Sequence, residues 1–346
     1  GTVLQFLPQI VLLFLLIALL ENVGYMSRAA FLMDRVMART GLEGRAFVAM
    51  LSSFACAVPG IMATRTLPSS RDRIATIISA PLMTCSARLP VYALLVGLLV
   101  APQTRWWGFS AQGVTMFLLY LGGGTSALLA AAAFKSTILR SDPLPFTMEL
   151  PPYRFPSPSA VLIAMWNAAK IFLRKAGTVI LATSLVLWVL MNLPTRGAET
   201  ATLPPSDATA YVLDHSYAAG IGRAIEPVFA PLGFDWRTNI ALVGSLSARE
   251  VFVSTLGQVS AATNPTDPHQ ALLSMSDDNG RRVFSAPTVI ALMVYFMFAL
   301  QCMSTVAVMR RETNSWRWPA FAFGYMFVLA WVMAFAARSI AVGLGA

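Results

Sequence analysis

The chain has 346 residues, of which 57% are hydrophobic and 12% charged, against about 25% charged in soluble globular proteins. With a mean hydropathy of +0.66, this composition excludes an ordinary soluble enzyme and a disordered chain. Apolar runs of about 20 residues recurring from end to end point to an all-α polytopic membrane protein. The net charge of +9 comes from short Lys/Arg clusters between apolar runs, which is the positive-inside pattern and not a nucleic-acid surface. Three Cys and two His are too few for a disulfide framework or a zinc finger.

The chain opens with Gly1 and enters an apolar run at once, so its start is expected to lie upstream. Residues 2–20 form a first span, closed by Glu21 and Asn22. Residues 27–45 are amphipathic and carry Arg28, Asp34, Arg35, Arg39 and Arg45. The apolar run 46–64 is interrupted at Pro59 and Gly60, and a basic connector, 65–73, follows. Residues 74–100 are long enough to span but are broken by Pro81 and Pro90. Plainer spans at 110–134 and 176–193 flank a Pro-rich linker, 141–158. A polar, slightly acidic segment, 194–237, suits an external loop or small cap. Residues 238–260 are apolar around Arg249 and Glu250, and spans 286–308 and 319–342 flank a basic turn at Arg310, Arg311 and Arg317. Charge counting places 21–45, 65–73 and 135–175 on the cytoplasmic side and 194–237 outside, which makes 46–64 and 238–260 re-entrant.

An internal repeat fits that organisation. Sliding the chain by 192 positions lays 36–54 over 228–246, with identities at Val36/Val228, Ala38/Ala230, Gly41/Gly233, Arg45/Arg237, Ala49/Ala241 and Ser53/Ser245. Glu43/Asp235 and Val48/Ile240 are conservative pairs. Repeats of opposite orientation with paired broken helices are the pattern of secondary transporters; coincidental similarity between apolar segments is the alternative.

Chemistry is expected where helices break. Cys56 lies three residues before Pro59, Cys85 lies between Pro81 and Pro90, and Cys302 stands inside a span between Gln301 and Met303. A broken helix in a bilayer frees carbonyls and is tolerated only inside protein or along a wet cavity. A thiol beside such carbonyls makes a site for a soft or borderline cation such as Fe(II), Cu(I) or Zn(II). A lone buried Cys is otherwise a small hydrophobe. Arg88, Arg249 and Glu250 are ionisable groups within apolar sequence, which normally face a bundle interior or a water-filled path; pairing that fixes helix register is their other reading. Glu21 stands at a span end. Gly122, Gly123 and Gly124 with Ser126 suit close helix packing, and no phosphate-binding G-x-x-x-x-G-K-[ST] run occurs. The residues alone describe a membrane transporter for a soft cation.

The runs LLENVGYMSRAAFLMDRVM, CAVPGIMATRT, RDRIATIISAPLMTCSARLPVYALL, SAREVFVSTLGQ and LQCMSTVAVMRRETNSW carry a resemblance. With them the chain, from Gly1 to about Trp318, resembles the membrane domain of the ferrous iron transport protein B family. The resemblance implies about seven to eight membrane-embedded helices in two Gate-type repeats with broken or re-entrant helices: a first repeat region at 1–134, a cytoplasmic linker with an amphipathic helix at 135–175, and a second repeat region at 176–346. It implies Fe²⁺ as the substrate, moved across the bacterial inner membrane into the cytoplasm by a multi-pass transporter that is not itself an enzyme. No cofactor is expected in this chain, since GTP and Mg²⁺ belong to the family's N-terminal GTPase domain. The partners implied are the bilayer, that GTPase domain or a separate GTPase chain, and small cytoplasmic Feo accessory proteins; homo-oligomerisation is left open and no nucleic acid is expected. Cys56, Cys85 and Cys302 match the family's Gate cysteines, and Glu250 and Glu21 match its acidic positions. Pro59, Ser86, Arg88, Pro90, Met303 and Ser304 complete the expected path or gate. Ala57 and Asn22 stand where the family commonly has Asn and Asp, removing two candidate ligands. An organic-solute permease sharing the Gate repeat is the alternative; a membrane-embedded cysteine enzyme would need a base near a thiol, and no His lies in an apolar segment.

Overall fold

The fold is seen in a computed structural model, which describes residues 8, 11–12, 15–16, 18–20, 22–101, 103–106, 108–140, 157–171, 178–193, 211–212, 214–246, 249–263, 272, 275 and 282–345. Glu21 lies outside the described residues, as do most of the first span, the linker 141–156 and the polar stretch 194–210. Among the described residues the chain is almost wholly helical, with one short antiparallel ribbon, β1 (Arg105–Trp106) and β2 (Phe109–Ser110). Two compact units interleave along the chain. The first comprises Gly1–Ser86, Tyr120–Val179 and Ser304–Gly324; the second comprises Ala87–Leu119, Ile180–Met303 and Tyr325–Ala346. Among the described residues four stretches are long and apolar enough to cross a membrane: Ser70–Leu99, Ala111–Ser136, Ala286–Thr313 and Arg317–Gly343.

The amphipathic stretch forms α1 (Tyr25–Arg39), followed by α2 (Arg45–Ala55) and α3 (Ala57–Ala63). Neither α2 nor α3 can cross alone, since at about 1.5 Å per residue even α2 is half the depth of a bilayer core of about 30 Å. They pack against each other as a hairpin. At Gly60 of α3 an added Cβ would meet the Ser53 hydroxyl and stand 2.7 Å from the Ala49 carbonyl of α2, so only glycine permits this approach.

The sequence places the interruption of this run at Pro59 and Gly60; the structure puts it at Cys56, whose backbone is extended (φ −156°, ψ 133°). Pro59 sits in the first turn of α3, where a missing N–H costs nothing, and the cost falls four residues upstream, on the Ala55 carbonyl that its ring cannot serve. The chain continues through α4 (Ser70–Ser79) and a 3₁₀ turn, Ala80–Leu82, into extended backbone at 83–85. A second 3₁₀ turn, Ser86–Arg88, then leads into α5 (Leu89–Leu99), so this run breaks between its two prolines, as expected. After the ribbon come α6 (Ala111–Ser136), α7 (Pro158–Ile171) and α8 (Thr178–Asn192).

The second unit repeats the pattern of α1 to α3. Within the segment read as external loop or cap stands α9 (Tyr217–Phe229), followed by α10 (Trp236–Ser245) and α11 (Glu250–Thr263). Three of the six identities gain structural meaning. Gly41 (φ +75°) and Gly233 (φ +79°) both turn the chain in the left-handed region. Arg45 pairs with Glu43 at 3.4 Å and Arg237 with Asp235 at 3.5 Å. Ser53 and Ser245, both fully buried, donate back to Ala49 O (2.8 Å) and Leu242 O (2.6 Å). The chain closes with α12 (Ala286–Phe298), α13 (Met303–Thr313) and α14 (Arg317–Gly343). The expected unbroken span 286–308 is therefore corrected: backbone at 299–302 is non-helical, with Ala299 extended (ψ 139°).

Each unit has its own core. In the second, Tyr295 meets Phe229 and Phe234 edge-on at 5.8 and 6.0 Å, and Phe252 meets Phe296 at 4.7 Å. Trp331 Nε1 and Arg338 Nη1 donate to Val228 O (2.9 Å) and Pro231 O (2.6 Å), pinning α14 to the end of α9. In the first, Glu312 accepts from Arg65 Nε at 2.9 Å and from Arg73 Nη2 at 3.1 Å, joining the end of α13 to the basic connector. Lys135 pairs with Asp72, both side chains being more than nine-tenths buried.

Removing one member of that buried pair leaves the other charge uncompensated. Lys135→Met is therefore expected to destabilise the protein by about 3–5 kcal/mol, read as a drop in thermal unfolding midpoint in detergent; a midpoint within error of the parent would contradict it. Near this pair, burial pushes the Glu43 carboxyl up, Arg45 opposes it, and Asp72 and Asp34 add to it. The folded state thus holds the Glu43 proton more tightly than the unfolded chain. The resulting stability is fully present below the ordinary value of 4.5 and is lost as pH rises through the raised one. Glu43→Gln is expected to match the parent in acid and to unfold at a higher temperature than the parent at neutral pH; equal midpoints across that window would refute the assignment.

Candidate ion-path site

Every break in an apolar helix frees backbone groups that must be met inside the protein. In the first unit the freed acceptor is Ala55 O, and Ser86 Oγ donates to it at 2.9 Å. This contact sets the Cys56 break beside the Cys85 break, because Ala55 and Ser86 directly adjoin the two cysteines. Thr84, in the same extended stretch, faces Gly123 of α6, where an added Cβ would collide with its hydroxyl and lie 3.3 Å from its amide. The glycine run thus serves close packing, as expected, and what it packs against is the break.

In the second unit the break at 299–302 meets the break between α10 and α11. Met303 N donates to Leu246 O at 3.0 Å. Ala299 O accepts from two buried guanidiniums, Arg88 Nη2 at 3.5 Å and Arg249 Nη2 at 3.4 Å. Arg88 and Arg249 thus converge on one freed carbonyl. Within this pocket of polarity Arg249 Nε and Nη1 and Gln301 Oε1 are buried with no hydrogen-bond partner among the described residues.

All three cysteines stand at non-helical backbone and are half-buried, and no disulfide joins them. Cys56 and Cys85 belong to the first unit and Cys302 to the second. Pro59 and Pro90 lie in the first turns of α3 and α5, and Ser304 in that of α13. Met303 is 49% exposed, whereas Met83, within the first unit's break, is buried. Glu250 begins α11, and its side chain lies outside the described residues. Among the described residues no group of three or more His, Cys, Asp or Glu side chains comes together as a metal-holding cluster. Sequence reasoning missed the Ala299 carbonyl, Thr84 and Glu312. A hydroxyl flanking Cys85 and a lone acid within a basic turn were the available signals for the last two.

Two family models match the chain. The family model described as nucleoside recognition, the Gate model, matches residues 3–99 and 173–316, which takes in all four breaks. The model for the C terminus of ferrous iron transport protein B matches residues 116–167. The chain belongs to the Gate family. This Gate domain is 43% identical over 339 residues to the Fe(2+) transporter FeoB of Leptospira interrogans (strain Fiocruz L1-130), covering 97% of the chain and 48% of the relative. It is 37% identical to the Fe(2+) transporter FeoB of Staphylococcus aureus (strain COL), covering 97% and 46%. It is also 37% identical to a Fe(2+) transport protein A/Fe(2+) transporter FeoB fusion protein of Porphyromonas gingivalis, covering 97% and 42%. The Gate domain therefore spans about half the length of the curated relatives it matches. No solved structure matches it.

The Ser86 contact generates a test. Ser86→Ala strands Ala55 O and is expected to cost about 1–3 kcal/mol. Pro59→Ala restores a local N–H donor, so in that background the Ser86→Ala cost is expected to shrink by about 1 kcal/mol. A double-mutant cycle of thermal unfolding reads the coupling, and strict additivity would remove the proposed link between ring and hydroxyl.

Proposed function

We propose that the chain is the permease portion of a GTP-dependent ferrous iron transporter, carrying Fe²⁺ across the bacterial inner membrane into the cytoplasm. The observation that carries this reading is that every cysteine of the chain stands at a break in an apolar helix, beside freed carbonyls and hydroxyls. Thiols suit a borderline-soft dication, and carbonyl and hydroxyl oxygens let it shed water without being held tightly. Relatives named as Fe(2+) transporters across nearly the whole chain support the substrate.

In this reading Cys56, Cys85, the Ser86 hydroxyl and Ser304 are ion ligands in the first unit, and Cys302 is one in the second. Glu21 and Glu250 raise the local cation concentration. The hairpins α2–α3 and α10–α11 are re-entrant and bring their breaks to the membrane midplane. GTP and Mg²⁺ act in a GTPase part, on the same polypeptide or a separate one. The fused relative from Porphyromonas gingivalis supports a small Feo accessory protein as a further partner.

The test is uptake of radioactive Fe²⁺ under reducing conditions by cells expressing the full-length protein with Cys56→Ser, at matched membrane levels. Loss of a direct ligand is expected to lower uptake by at least about tenfold. Unchanged uptake would return Cys56 to a packing role. Unchanged uptake in Cys85→Ser and Cys302→Ser as well, together with transport of a nucleoside by the parent protein, would favour the organic-solute reading instead.

A further inference from the structure

Helix α1 presents an outward surface, exposed at Arg35 and Arg39, that the proposed ion path does not use. Its inner face is fixed: Met26, Ala30 and Met37 are buried, and Asp34 Oδ1 accepts from Gly44 N at 2.9 Å. Gly44 itself runs so close that an added Cβ would stand 2.7 Å from Ala30 O. The helix is thus docked along one side on the start of α2. On the opposite side Arg28, Arg35 and Arg39 fall in one line, at i, i+7 and i+11. Arg35 and Arg39 are exposed and have no acidic partner among the described residues. Beside that line runs an apolar wing of Tyr25, Leu32 and Val36, with Leu32 77% exposed. At about 1.5 Å per residue α1 is too short to cross a bilayer and too charged to lie within its core.

The second unit supplies an internal control. The matched helix α9 also exposes an apolar wing, Tyr217, Ile221 and Val228, but it carries a single arginine. That residue, Arg223, is paired with Asp214 at 2.7 Å, and Glu226 balances it further along the helix. The shared architecture therefore needs the apolar wing and does not need the arginine line, which is an addition specific to α1.

We infer that α1 lies in the plane of the membrane surface and is a binding strip for anionic phospholipid headgroups, its apolar wing entering the acyl layer and Arg28, Arg35 and Arg39 holding phosphates. A guanidinium line flanked by exposed apolar side chains fits this boundary, where phosphate and hydrocarbon lie side by side. Charge complementarity selects the acidic lipid over a zwitterionic one, and the leaflet is the one faced by the chain's basic connectors.

The test is lipid retention by the purified full-length protein from nanodiscs of phosphatidylcholine with phosphatidylglycerol, read by native mass spectrometry. The parent is expected to retain phosphatidylglycerol above its share of the nanodisc. Arg28→Gln/Arg35→Gln/Arg39→Gln is expected to lose that enrichment by about fivefold or more, while an all-Lys version keeps most of it. Thermal unfolding in pure phosphatidylcholine checks that the variants fold, and Arg223→Gln, on the matched helix, should leave the enrichment intact. No enrichment in the parent, or enrichment that survives the triple Gln change, overturns the inference. So does a triple variant that retains lipid like the parent but loses a co-purifying protein, which would make the strip a protein-docking surface.

Discussion

A carbonyl that loses its helical donor inside an apolar fold must be met by another donor, because leaving it bare costs on the order of a few kcal/mol. The architecture is arranged around three such carbonyls. Ala55 O is met by the Ser86 hydroxyl, Leu246 O by the Met303 amide, and Ala299 O by the guanidiniums of Arg88 and Arg249. Each of these bonds ties one broken helix to another within the same unit. The breaks are therefore held in pairs, and the pairing places the cysteines where backbone oxygens and hydroxyls are also available.

The internal repeat shows which parts of this arrangement are indispensable. The residues shared between 36–54 and 228–246 are those that turn the chain, cap or pin the first helix, and keep its buried serine bonded. The residues at the breaks themselves differ, Cys56 having no cysteine at the matching position, Ala248. Scaffold was retained in both copies while the chemistry at the break diverged.

Much of this was legible in the residues. Proline marks a break because its ring removes a donor, and Pro59, Pro81 and Pro90 located two of the four interruptions, the first displaced by three residues since the ring damages the carbonyl upstream of it. The amphipathic helix at the head of the first repeat was legible from its arginines, and the repeat from Gly41 and Gly233. The break at 299–302 was not, because it contains neither proline nor glycine. Its freed carbonyl is met from far along the chain by Arg88, 211 residues away, and such tertiary rescue of a carbonyl leaves no local signature. The pairing of breaks was hidden for the same reason: Ser86 reads as an ordinary small polar residue until its partner, Ala55 O, is known.

The two pairs of breaks are not electrostatically alike. A helix C-terminus carries about half a negative charge on its free carbonyls. At Ala55 that end is met by a neutral hydroxyl, so its attraction for a dication persists. At Ala299 two fixed positive charges oppose it, and a dication brought there is repelled unless counter-charge accompanies it. The local field at the Ala55 break therefore attracts a cation, and that at the Ala299 break repels one. Duplicated halves of one scaffold thus carry opposite local fields at their breaks, and neutral residues at positions 88 and 249 would remove the repulsion at the cost of leaving the Ala299 carbonyl without its donors.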